Sequence, residues 1–240
     1  METYSNTPGD PESGSRLLRC GAVMLGAVVV LAAFALTVAY LGVGLRLIDP
    51  KTFPTHPMPA GLYVLAASYL PLLAYFAMAV PWASGQSWRQ MGMDPPNQQS
   101  LLLALVVAAA LVLLEWAVAA IEARTYLGAR EAGSFLAFGH GATYVAVYLT
   151  ATVLLGPIAE EIGFRVLLFG TLRRMMSTTA AAVISSVIFA LAHMSVATLL
   201  VLTVAGFAFA QVYARSKSLW TAVVAHAAFN IGGILFALQG

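Results

Sequence analysis

Apolar residues in this chain come in unbroken runs, not in the two-residue alternation of a strand or the single stripe of a surface helix. Seven such runs cover 17–45, 60–82, 100–123, 141–172, 179–194, 196–214 and 219–238. A helix needs about 20 apolar residues to cross a bilayer. Only helices and closed barrels satisfy their backbone groups in lipid. Continuous runs dominated by Ala and Leu predict helices rather than strands. The fourth run is long enough for a tilted span, or for a span plus a second piece broken near Gly156-Pro157. The fifth is short and meets the sixth at "HMS", read as a tight turn. The pattern therefore predicts an all-α fold, a polytopic membrane helix bundle of about seven to eight transmembrane helices.

Composition supports this. The chain is 60% hydrophobic and 9% charged, whereas soluble domains carry roughly 25% charged residues. A formal net charge of +2, with scattered basic residues, gives no footprint for nucleic acid. The single cysteine, Cys20, cannot form an internal disulfide. Residues 1–16 are polar and rich in Ser, Gly and Pro, and are expected to form a disordered tail. Residues 17–240 are expected to form a single transmembrane helical domain in the cell membrane. The first run is too long for the apolar core of a cleaved signal peptide and is expected to be retained. Basic residues favour cytoplasmic loops. With the N-terminus inside, that side holds Arg16, Arg19, Arg89, Arg173, Arg174, Arg215 and Lys217, against Arg46, Lys51, Arg124 and Arg130 outside. The N-terminus is expected to be cytoplasmic.

Against this background a few polar residues fall at membrane depth: Glu115, Glu160, Glu161, Arg165, His193, His226 and Asn230. A charge at a helix centre costs about 2.5–3.5 kcal/mol on insertion scales, and such residues usually face the bundle interior. Glu161 and Arg165 are four apart, so they share a helical face and can pair. Glu160 points roughly a hundred degrees away, toward a different neighbour. One glutamate is thus neutralised and the other left available. The i,i+4 spacing recurs in "FALAH" (Phe189, His193) and "HAAFN" (His226, Asn230). Three segments can line one interior pocket.

In order along the chain, "EEIGFR" fits E-E-x-x-x-R, "FALAH" fits F-x-x-x-H and "HAAFN" fits H-x-x-x-N. This set resembles the CPBP intramembrane proteases: the type II CAAX prenyl endopeptidases and their bacterial relatives of the abortive-infection, bacteriocin-immunity and lysostaphin-resistance types. The resemblance covers about 141–235. The stretch "SWRQMGMDPP" also looks like a loop common in that family. It implies an endopeptidase that hydrolyses a peptide bond of a membrane-associated protein or peptide, CAAX-protease-like, in contact with the lipid bilayer. It further implies that Glu160 and His193 activate a water, that His226 and Asn230 stabilise the oxyanion, and that Glu161 with Arg165 supports them. Zinc is the competing reading, with Glu160, His193 and His226 as two-histidine, one-carboxylate ligands. No H-E-x-x-H places two ligands on one helix, so the residues lean slightly toward glutamate-activated water.

Other readings follow from the same residues. A catalytically silent family member acting as a membrane binding or immunity protein, or an ion-coupled transporter, would also carry intramembrane Glu, Arg and His. No internal repeat of the transporter kind is present. Ser185 and Ser186 have no base nearby in sequence, and Asp10, Asp49 and Asp94 lie outside the spans, which disfavours serine and aspartyl intramembrane proteases. Glu115, beside Trp116, is read as structural or pore-facing. His56 and His140 are read as solvated, and Phe164, Phe189 and Phe229 as packing. Gly163, Gly206, Gly232 and Gly233 are read as allowing close helix approach.

Overall fold

The computed structural model describes residues 13–44, 58–125 and 142–238. Seven helices account for most of them: α1 (Ser13–Gly44), α2 (Met58–Ser84), α3 (Gln98–Thr125), α4 (142–172), α5 (Thr178–Ala192), α6 (Leu199–Ser216) and α7 (Leu219–Ala237). No strand occurs among the described residues. The fold is a polytopic helical bundle, with one helix per apolar run and no eighth among the described residues. Helix α1 takes in 13–16, the last part of the expected tail. His56, His140, Arg46, Lys51 and Arg130 lie outside the described residues.

Six helices are long and apolar enough to cross a membrane, and α5 is the exception. Its 15 residues cover about 22 Å at 1.5 Å per residue, short of a hydrocarbon core of about 30 Å. The expected fifth span at 179–194 is thus a shorter rod. The turn after it is longer than "HMS" suggested: 193–198 connect α5 to α6, which starts at Leu199 instead of Val196. Met194 takes a left-handed backbone (φ 50°) to leave the helix.

Of the two readings of the fourth run, the single long span holds and the break near Gly156-Pro157 is absent. Helix α4 is continuous because it widens on both sides of that pair: Thr150–Leu155 and Ile162–Phe169 are π-helical. The amides of Gly156 and Gly170 reach back five residues, to the carbonyls of Ala151 and Arg165. Between the wide turns, Gly156–Glu161 is an ordinary α-turn and a half, and Pro157, which has no N–H to donate, directly follows the first wide turn in the interior of α4. Wide turns of this kind concentrate at functional sites.

Helix α5 begins at Ser177, whose Oγ accepts the Ala180 amide at 3.2 Å. One face, Ala181, Ala182, Ser185, Ser186, Phe189 and Ala190, is buried. The other, with Val183, Ile184, Val187, Ile188 and Leu191, is exposed. Small and polar residues face inward and branched apolar ones outward, as lipid-facing helices require. The small residues admit α6: a Cβ on Gly206 would lie 3.1 Å from both Phe189 Cδ1 and Ser186 Cβ.

Two apolar clusters hold the bundle. One joins α1, α2 and α4 to the near ends of α5, α6 and α7, around Phe76, Leu167 and Phe169. The other joins α3, α6 and α7 around Leu111, Phe209 and Phe229. The α2–α3 loop then clasps the α6–α7 turn. Leu219 N–H donates to Gly92 O at 2.8 Å, Tyr213 Oη to Met91 O at 2.8 Å, Ser218 Oγ to Asp94 O at 2.9 Å and Trp220 Nε1 to Met93 O at 3.0 Å. Gly92 is required there: its φ is 90°, and a Cβ would sit 2.6 Å from Lys217 O. The clasp gives the otherwise uncapped start of α7 a partner and fixes the register of the helix that carries His226 and Asn230.

Candidate active site

Arg165 and Glu161 are both 0% exposed and form an ion pair, with Nε 2.8 Å from Oε2 and Nη2 3.3 Å from Oε1. The one-face pairing read from the spacing is therefore present. The guanidinium also lies 4.8 Å from the centre of the Phe189 ring and 5.7 Å from that of Phe209. Cation–π attraction is stronger where water is excluded. Phe189 is thus more than packing. Phe209, which no sequence motif marks, forms the opposite wall.

His226, on α7, stacks on Phe209 with ring centres 4.8 Å apart and 19° between planes. Its Nδ1 is 2.9 Å from Glu161 Oε1. A carboxylate paired with arginine can only accept, so Nδ1 carries the proton and donates. His193 caps the end of α5, and its Nδ1 is 2.8 Å from Phe189 O. A carbonyl also only accepts, so here too Nδ1–H is the donor. It satisfies a carbonyl that the helix end leaves open. Both neutral imidazoles therefore turn a bare Nε2 lone pair inward.

Both lone pairs face the same atom. Glu160 Oε2 is 3.8 Å from His193 Nε2 and 3.8 Å from His226 Nε2. Oε2 is buried with no hydrogen-bond partner among the described residues, although the side chain as a whole is 26% exposed. Three acceptors converging without a proton between them repel one another. The centre is complete only when a proton or a hydrogen-bond donor occupies the gap. His193, with 33% of its side chain exposed, forms the open side.

Asn230, one turn after His226, joins the cluster less directly. Its Nδ2 donates to Thr152 O at 2.8 Å, in the first wide turn of α4. Glu115 stands apart from the centre. On α3, its carboxylate lies against Gly233, where a Cβ would come within 3.3 Å of Oε2, and Trp116 stacks on Phe236 at 5.0 Å. A Cβ on Gly232 would overlap the Val112 side chain. The paired glycines let α3 and α7 touch, as read from the sequence. Thr152 O and Phe209 were missed because the first is a backbone atom and the second lies outside any polar pattern.

The bundle thus holds a carboxylate between two histidines, among helices apolar enough to cross a membrane. Comparison with known proteins shows what this part of the chain is similar to. Residues 141–232 match the family described as "Type II CAAX prenyl endopeptidase Rce1-like". Over 95 residues the chain is 38% identical to the Bacillus subtilis (strain 168) protein named "Putative membrane peptidase YdiL", a match covering 40% of this chain and 39% of that protein. The match thus spans about two fifths of that relative's length. No solved structure matches the chain. Residues 141–232, which carry all three motifs, are thus the part of the chain that is similar to these proteins.

Zinc can be weighed against the same geometry. The donor types suit it, and Phe189 O and Glu161 hold the two imidazoles in the ligating tautomer. Yet among the described residues no three His, Cys, Asp or Glu groups form a set that could hold a metal ion. Gaps of 3.8 Å are too wide for a direct hydrogen bond and leave space between the three groups for a water or an ion. The steps considered below use only the chain's own groups.

Proposed function

We propose that the chain is an intramembrane endopeptidase that hydrolyses a peptide bond of a membrane-associated protein or peptide, using Glu160 as general base. The observation that carries this reading is the convergence of Glu160 Oε2 and two inward Nε2 atoms at 3.8 Å. A water about 2.8 Å from Oε2 and from His193 Nε2 would bridge them. Glu160 takes one proton as the water oxygen bonds to the substrate carbonyl carbon. The carbonyl becomes an oxyanion, the C–N bond then breaks, and the proton passes to the leaving amine. His193 orients the water and shares that proton.

His226 contributes an Nε2–H donor to the oxyanion when protonated. Asn230 has two amide N–H groups: Thr152 O takes one, and the other is available to the oxyanion. Glu161 and Arg165 hold His226 in place. In this reading 17–240 is one transmembrane domain, and the basic end of the bundle faces the cytoplasm.

The test is cleavage of a library of quenched-fluorescent membrane peptides by the purified, reconstituted protein. Wild type, Glu160→Ala and a zinc-chelated sample are compared. Cleavage by the wild type alone supports the reading, and chelator sensitivity would transfer the water to a metal. A folded wild type that cleaves nothing would sink it in favour of a silent binding protein or a transporter.

A further inference from the structure

A polar side chain from outside the matched segment packs against the helix that carries Glu160. Tyr69, on α2, packs beside Ala151 and against the first apolar cluster. An ideal Cβ on Gly156 would lie 3.2 Å from its hydroxyl and 3.5 Å from Cζ. Gly156 and Glu160 are four apart within the regular α segment of α4, so they share a face. A helical side chain leans back over the turn before it, which carries the Glu160 carboxylate toward the surface that Gly156 leaves bare. The phenol lies over the same surface. Any side chain at Gly156 would meet the phenol and also the Ala151 carbonyl, 2.8 Å away.

The chemistry calls for a donor there. Both neutral imidazoles present lone pairs, and Asn230 has given one N–H to Thr152 O. The motif residues are thus short of uncharged donors for a tetrahedral oxyanion, whereas a phenolic O–H is one without any change of protonation. We propose that Tyr69 is an oxyanion-binding residue: its hydroxyl donates a hydrogen bond to the oxygen that becomes negative, from a helix outside 141–232. The proposal rests on the endopeptidase reading above.

The experiment uses the full chain in liposomes and one reporter peptide that the wild type cleaves. It compares wild type, Tyr69→Phe and Glu160→Gln. A peptide aldehyde of the same sequence serves as a mimic of the tetrahedral state. Phenylalanine keeps the ring against Gly156 and removes only the O–H. The expected result for Tyr69→Phe is a kcat lowered about 100-fold, a KM within about two-fold of the wild type because ground-state binding is untouched, and an unchanged melting midpoint. Aldehyde affinity should fall much more than affinity for the uncleaved peptide. A Tyr69→Phe kcat within about two-fold of wild type, with Glu160→Gln inactive, overturns the Tyr69 role and leaves the peptidase reading standing. A kcat loss that comes with a lowered melting midpoint and unchanged aldehyde affinity also overturns it, marking Tyr69 as packing alone. If the wild type cleaves no peptide and binds the aldehyde no better than Glu160→Gln does, both readings fall together.

Discussion

Glu160 and Glu161 are neighbours in the chain with opposite surroundings: Glu161 is fully buried between Arg165 and His226, while Glu160 faces two imidazole lone pairs across 3.8 Å gaps. Their substitutions should therefore fail differently. Glu160→Gln should keep the fold and lower turnover about 1000-fold, read by peptide cleavage alongside an unchanged thermal midpoint. Glu161→Gln should lower stability by about 3 kcal/mol, because it leaves the buried Arg165 charge uncompensated. Denaturant titration in detergent would show that loss even if no substrate were in hand. The i,i+4 pairing behind this contrast was readable from "EEIGFR". The tautomers were not, since they depend on Phe189 O and on Glu161, brought in by other parts of the fold.

At the scale of elements, the site depends on how closely α5 and α6 approach. Gly206→Val should push the α5 face away and shift Phe189, which touches Arg165 and both histidines. The expected outcome is a lowered melting midpoint and a loss of cleavage. Ser177→Ala, at the far end of α5, removes a cap worth about 1 kcal/mol and should lower the midpoint with little effect on turnover per folded molecule. The apolar runs marked where each helix lies, because hydrophobicity sets that directly. They could not show the wide turns of α4, which follow from packing and from the needs of Gly156-Pro157 and the charged residues beyond. Nor could they show that His193 caps a short helix instead of sitting inside a span. The contact between the 91–94 loop and the 213–220 turn is also invisible locally, since it joins residues more than 120 positions apart.

For the whole molecule, the seven basic residues assigned to one side do gather at one end. Arg19 lies 5.9 Å from the Trp82 ring at the end of α2, Cys20 Sγ is near Leu167 O toward the end of α4, and the α2–α3 loop is bonded to the α6–α7 turn. With that end in the cytoplasm, a cysteine introduced at Arg174 in a Cys20→Ser background should resist a membrane-impermeant thiol reagent in intact cells, whereas one at Leu238 should react. The reverse pattern would invert the orientation. Such a global feature was partly legible, because charge asymmetry is additive along the chain, whereas the assembly of the centre from α4, α5 and α7 is not. The shortness of α5 carries a further consequence. A rod some 8 Å shorter than the hydrocarbon core obliges the surrounding lipid to thin beside it, next to the exposed side of His193. Acyl-chain length then becomes a control variable: in bilayers of short-chain phospholipid the connection 193–198 reaches the aqueous boundary, and in long-chain bilayers it is submerged.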